Sequence, residues 1–329
     1  MRRREFIGGL SGAAIALPLA VRAQPSERIR RIGVLMNLAS DDREGQSRFA
    51  LFRRSLQDIG WVDGQNVKID ARWGAGNVDQ YRKYAAELVA LEPDIVVTAT
   101  TPAVLALRQA TRNVPIVFVG VIDPVGSGLV ASLSRPGGNV TGFLLFEYAL
   151  AAKWLDVLKE IAPGLTRVAV LRDPAISSGI GQFAAIQAVG LIGIDLAAID
   201  VRDAAEIDRA VAEFSRGGPN DGLIVTASQF SSNHPEAIVA VAATHKLPAV
   251  YPFSFFVRAG GLISYGPDLA TQYGVAAGYV DRILKGEKPA ELPVQVPTKY
   301  DLIINLKTAK ALGIDLPPSL IARADEVIE

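Results

Sequence analysis

The chain has 329 residues, half of them hydrophobic and 21% charged, and its 34 basic residues balance 34 acidic ones. That length predicts about two domains with room for a large core, and this composition excludes wholesale disorder. A net charge of zero argues against nucleic acid as the main partner, and the complete lack of cysteine excludes disulfides, thiol nucleophiles and cysteine-held zinc.

The first 23 residues stand apart from the rest. Basic "MRRREF" is followed by apolar "IGGLSGAAIALPLAV", and "VRA" precedes Gln24. This is the layout of an export signal. The apolar run of about 15 residues is short for a bilayer span. Arg3-Arg4-Glu5-Phe6-Ile7 resembles the twin-arginine variety, with a general-secretion signal as the alternative. The segment holds four arginines and one glutamate, so the mature chain keeps 30 basic and 33 acidic residues, a net charge near −3. With no cysteine to carry a lipid anchor, the expected product is a freely diffusing periplasmic protein.

Short apolar segments then alternate with helix-length ones. Strands are predicted at "RIGVLM" (31–36), "VKIDARW" (67–73), "DIVVTA" (94–99) and "PIVFVG" (115–120). They continue at "RVAVLR" (167–172), "IDLAAI" (194–199), "GLIVTA" (222–227), "PAVYPF" (248–253) and "GLISYG" (261–266). The first, third and fourth are unbroken apolar runs, the mark of a strand covered on both faces. Between the first two, Phe49, Phe52, Leu56 and Ile59 recur at helical spacing. Alternating strand and helix implies parallel sheets flanked by helices. The halves also echo each other: "DIVVTATTP" is answered by "DGLIVTASQF", and "ATRNVPIVFVG" by "ATHKLPAVYPF". One long repeat means two similar α/β lobes. We place residues 30–142 with 267–290 in the first lobe and 143–266 with 291–329 in the second. The turn is expected near "GGNVTGFLLFEY" (137–148), and the Pro-rich stretch 286–301 is expected to cross back.

Open parallel sheets bind ligands at the carboxyl ends of their strands. The exits of the first half offer Asn37 and Ser40, Thr100 and Thr101, and Asp123. Those of the second offer Asp173 and Ser177, Ser228 and Gln229, then Tyr251 and Phe253, with Tyr265 ending the last strand. Each polar residue taken singly is an ordinary helix cap; as a set on two matched lobes they predict a shared cleft for a small polar or zwitterionic ligand. In "VVTATTPAVLALRQAT", Pro102 suits a first helical turn, which makes Thr101 the expected cap.

Other chemistries are poorly served. "GSGLVA" (126–131) fits a dinucleotide fingerprint in letters, but follows the fourth strand instead of the first. No spacing resembles a metal site. His234 and His245 are read as surface or capping residues, and no nucleophile elbow is visible. No cofactor is called for. An exported hydrolase using Asp123 or Asp173 is the alternative reading, although both precede proline, where a turn accounts for them.

Four stretches carry a family resemblance: "IGWVDGQN" (59–66), the Thr98–Pro102 turn, "DPVGSGLVASLSRPGGNVTG" (123–142) and "ILKGEKPAELPVQ" (283–295). From about residue 30 to 315 the chain resembles the tryptophan/aromatic-type substrate-binding proteins of ABC importers. The resemblance implies a type I periplasmic-binding fold, two Rossmann-like lobes closing on a solute and handing it to an inner-membrane permease, with no chemistry and as a monomer. It implies Asp123 against a ligand ammonium, and Thr100 and Thr101 with helix N–H groups against a carboxylate. Tyr251 and Phe253 would stack on a flat ligand. A sensor that presents the ligand to a membrane receptor would need the same fold.

Overall fold

A computed structural model describes residues 28–190, 193–218 and 220–329; the proposed export signal lies outside them. Two sheets organise the chain. The first is wholly parallel, ordered β2-β1-β3-β4-β5. Its strands are β1 (Arg30–Met36), β2 (Val67–Trp73), β3 (Ile95–Ala99), β4 (Ile116–Val121) and β5 (Val140–Leu144). The helices α1 (Arg43–Asp58), α2 (Val78–Ala90) and α3 (Thr101–Ala110) connect them. β3 is buried at every position, as its unbroken apolar run requires.

The second sheet runs β12-β11-β10-β9-β8-β6-β7. It comprises β6 (Arg167–Arg172), β7 (Asp195–Asp200), β8 (Asp221–Val225), β9 (Ala249–Tyr251), β10 (Ile263–Gly266), β11 (Asp301–Asn305) and β12 (Glu326–Ile328). Only β10 and β11 pair antiparallel. Helices α4 (Ala149–Ile161), α5 (Ser177–Ala188), α6 (Ala204–Ser215), α7 (Gln229–Asn233), α8 (Pro235–Thr244) and α9 (Ser254–Arg258) follow in order. Trp154 of α4 is fully buried in this lobe's core, edge-on to Phe146.

The chain passes between lobes after β5, after β10, and again just before β11. Helix α10 (Leu269–Leu284) returns to the first lobe, where its Tyr273, Ala276 and Val280 share a core with Phe52 and Leu56 of α1. The closing helices are α11 (Leu306–Leu312) and α12 (Pro318–Ala322).

Two expected boundaries move. "GGNVTGFLLFEY" contains β5, so residues 143–144 belong to the first sheet. Gly142 is what makes that strand possible: with φ +153, its absent side chain would meet the Phe118 carbonyl oxygen at 2.1 Å. Residues 292–296, expected with the second lobe, run beside β5 instead. The Leu144 N–H donates to the Gln295 carbonyl and the Gln295 N–H to the Gly142 carbonyl, and Leu292 and Val294 are buried in first-lobe cores.

α1 is also rotated from its expected setting. Its buried stripe is Gly45, Arg48, Phe52 and Leu56, while Ile59 is exposed and Phe49 lies at the margin against Trp73. A charged residue therefore occupies a core position of an otherwise apolar face.

Candidate ligand-binding site

The carboxyl ends of both parallel sheets face one another across a cleft of about 660 Å³, within the range of small-molecule sites. The first lobe lines it with Thr100, Thr101 and Pro102 at the start of α3, and with Val78, Leu105 and Ile122. The second lobe contributes Asp173, Ile176 and Ser177 from the β6–α5 turn, and Gln229, Phe230, Asn233 and His234 around α7. Val78 is 44% exposed and Leu105 39%, so the cleft wall presents bare apolar surface beside its hydroxyls. Two helices of ten or more residues, α3 and α5, begin at this wall. Their unpaired N–H groups favour anionic ligand atoms.

Thr100, not Thr101, is the residue that caps α3. Its φ of 67° and ψ of 148° lie in a region almost reserved for glycine, and its side chain makes no capping bond. Its Oγ1 is buried and unpartnered. A β-branched residue held there stores strain of about 1–3 kcal/mol. Thr100→Gly is therefore expected to raise stability by about 1 kcal/mol, the relieved strain being partly offset by glycine's chain entropy. Chemical denaturation of the ligand-free protein measures this, and a loss of stability would contradict the strained reading.

The corresponding turn of the second lobe is relaxed. Ser228 has φ −153° and closes a reciprocal capping box with Ser231. Gln229 instead reaches across the cleft, where the Asn37 amide donates to its Oε1 at 3.1 Å. Gln229 also donates to Asn233 at 2.7 Å. Asn233 lies against the backbone of Gly76, whose φ is +73 and whose absent Cβ would sit 2.1 Å from Asn233 Nδ2. The lobes thus touch at Asn37–Gln229 and at Gly76–Asn233.

The expected site residues divide. Thr100, Thr101, Asp173, Ser177 and Gln229 line the cleft, and Asn37, Ser228 and Phe253 line a smaller chamber behind it. Ser40 lies on an exposed turn, where its carbonyl accepts from the Gln46 amide, and it borders neither cavity. Asp123 borders neither cavity: one oxygen accepts from the Gly126 N–H at 2.7 Å and the other from the Tyr148 hydroxyl at 3.3 Å. Burial and the neighbouring Asp123 carboxylate raise the pKa of Tyr148, which keeps that donor protonated. Tyr251 is corrected most clearly. It is 1% exposed and stacks on Phe256 in the second-lobe core, because β9 is covered on both faces. Phe253, two residues on, lies beyond the strand end and reaches the chamber.

The sequence reading missed Phe230, which supplies the aromatic wall of the cleft, and His234, whose ring packs 4.9 Å from it. Both follow the Ser228–Gln229 exit directly, so the strand-exit rule needed only one more helical turn to include them.

A family model described as "ABC transporter substrate binding protein" matches residues 34–328. A tyrosine-binding protein of Clostridioides difficile is 28% identical over 265 residues, 80% of this chain and 75% of that protein. An ABC domain from Streptococcus pneumoniae, solved in complex with L-Trp, superposes with a TM-score of 0.82 at 27% identity, covering 91% of this chain and 99% of that one. A conserved domain protein from Vibrio cholerae gives 0.83 at 27% identity, covering 91% and 100%. These relatives are solute binders or share their fold, and the hydrolase alternative based on Asp123 or Asp173 is set aside. The chain belongs to the family of ABC transporter substrate-binding proteins.

Proposed function

We propose that this substrate-binding protein captures an aromatic L-amino acid between its lobes and delivers it to an inner-membrane permease. The observation that carries the reading is the make-up of the cleft. Bare apolar surface at Val78 and Leu105 of the first lobe and the ring of Phe230 from the second share the cleft with polar Thr100 and Thr101 from one lobe and Asp173 and Gln229 from the other. A flat apolar body with a charged head matches such a wall, the ring gaining by stacking and by area removed from water. The relatives named for tyrosine binding and solved with L-Trp support the same class. Export to the periplasm, by the twin-arginine route, fits the first 23 residues, and no helix among the described residues is long and apolar enough to cross a membrane. A monomer suffices, since both walls of the cleft come from one chain.

The test is a thermal-shift comparison on refolded protein. Binding to the native state alone raises the melting temperature in proportion to the logarithm of ligand excess. L-tryptophan, L-tyrosine or L-phenylalanine is expected to raise it well above the effect of L-alanine or glucose at equal concentration. A larger rise with glucose than with any aromatic amino acid would overturn the proposal.

A further inference from the structure

Behind the Asn37–Gln229 contact lies an inner chamber of about 40 Å³. Thr100, Gly120 and Gln229 border both it and the outer cleft, so the two spaces are contiguous. The chamber's polar wall is made by Asn37, Arg48, Thr100 and Tyr273 with Ser228 and Ser232.

Three of these groups lack partners and a fourth, Arg48, is only partly engaged. Arg48 is 4% exposed and donates from Nε to Glu44 at 3.1 Å; its terminal nitrogens make no other hydrogen bond to the chain among the described residues. Tyr273 is 1% exposed and its hydroxyl has no partner. The Thr100 hydroxyl and Asn37 Oδ1 are buried and unpartnered as well. Burial pushes the Tyr273 hydroxyl up to about 12, with the Arg48 charge pulling the other way, so it remains an O–H donor. Buried polar groups are nearly always paired, and the Glu44 pair leaves the terminal nitrogens of the Arg48 guanidinium free for a second anion. Glu44 faces solvent with a third of its side chain exposed and engages only Nε. The chamber therefore presents three donors and one acceptor to a group that the chain does not supply.

We infer that the inner chamber is the head-group end of the binding site, where Arg48, Tyr273 and Thr100 hold the carboxylate of the amino acid and Asn37 Oδ1 accepts from its ammonium. This rests on the amino-acid reading above and adds residues from α1 and α10 that no strand exit supplies. Gln229 borders both spaces and Asn37 the inner one, so the Asn37–Gln229 bond ties the lobes together where the two spaces meet. The volume suits a carboxylate, since one water-sized group needs only about 10–15 Å³. The N-terminus of α3, at Thr100 to Pro102, adds its N–H groups on the same side.

The experiment is calorimetric titration of L-tryptophan, L-tryptophanamide and indole-3-propionate into the wild type, Arg48→Met and Tyr273→Phe. The wild type is expected to bind both carboxylates and to bind the amide on the order of 100-fold more weakly. Arg48→Met should lower L-tryptophan affinity to the level of the amide, leave the amide unchanged, and melt close to the wild type, because an apolar chain of similar length fills the buried position and the partly exposed Glu44 stays solvated. Should Arg48→Met fail to fold, Tyr273→Phe makes the same comparison with a loss of about tenfold confined to the carboxylates. Equal binding of acid and amide by the wild type, or unchanged L-tryptophan affinity in both variants, overturns the assignment. Binding of indole-3-propionate without L-tryptophan would keep the anion chamber and overturn the amino-acid reading; binding of neither overturns both.

Discussion

Phe230→Ala is expected to lower affinity for an aromatic ligand on the order of 100-fold while costing the ligand-free protein only about 1 kcal/mol. Phe230 is half-buried on a short helix of the second lobe and lines the cleft opposite Val78 and Leu105. It packs against the buried core of its lobe from the rim without being part of it, so its removal costs the core only part of one contact surface. The loss falls on the ligand, which keeps one apolar wall and gives up the other. Phe230→Tyr retains the ring face and is expected to stay within about threefold of the wild type, since ring stacking carries the contact. Calorimetry on the two variants checks this. Equal weakening by alanine and tyrosine would show that the ring is not a stacking surface.

Trp154→Ala is expected to have the largest effect on stability, a loss of about 3–5 kcal/mol. The side chain is fully buried, lies edge-on to Phe146 at 5.5 Å, and donates from Nε1 to the Tyr265 carbonyl at 2.7 Å. Alanine leaves both a void and an unpaired carbonyl near the end of β10, one residue before the chain crosses between lobes. In a protein of this size the loss corresponds to a melting temperature lower by roughly 10 °C. Trp154→Phe fills most of the void but not the hydrogen bond, and is expected to recover more than half of the loss. Thermal unfolding followed by circular dichroism decides it; an alanine variant within about 2 °C of the wild type would contradict this account of the second-lobe core.

Much of this architecture was legible because buried parallel strands write themselves as unbroken apolar runs. β3 at "IVVTA" and β8 at "DGLIV" are buried throughout and were visible in the letters. β5 was hidden because Thr141 and Gly142 read as a turn; the glycine is there to let the strand approach Phe118. β12 is three residues long, below what periodicity resolves.

The site was legible to the extent that it sits at strand exits. Thr100, Asp173 and Gln229 follow directly from that rule. Arg48 and Tyr273 could not, since both lie within helices, and whether a helical residue faces a core or a chamber depends on the rotation set by tertiary packing. Phe49 and Arg48 are neighbours, and apolar periodicity favoured the phenylalanine. A charge in a buried stripe is a local rule broken, and such breaks concentrate at functional sites. Tyr251 failed for the opposite reason. It looked like the end of an exit, but β9 still pairs there with β10.

Thr100 joins the two lessons. It sits where the exit rule expects a ligand contact, yet its hydroxyl caps nothing and its backbone occupies a strained region. Strain of this kind persists only when the surroundings hold it, and here it accompanies a buried, unpaired hydroxyl at the border of cleft and chamber.

The central claim is that the cleft holds an aromatic amino acid. The most direct measurement is calorimetric titration of unfolded and refolded, ligand-free protein with L-tryptophan, L-tyrosine, L-alanine and glucose. The account predicts saturable one-to-one binding of at least one aromatic amino acid, tighter than L-alanine by on the order of 100-fold. Saturable binding of glucose with no heat from either aromatic amino acid would contradict it.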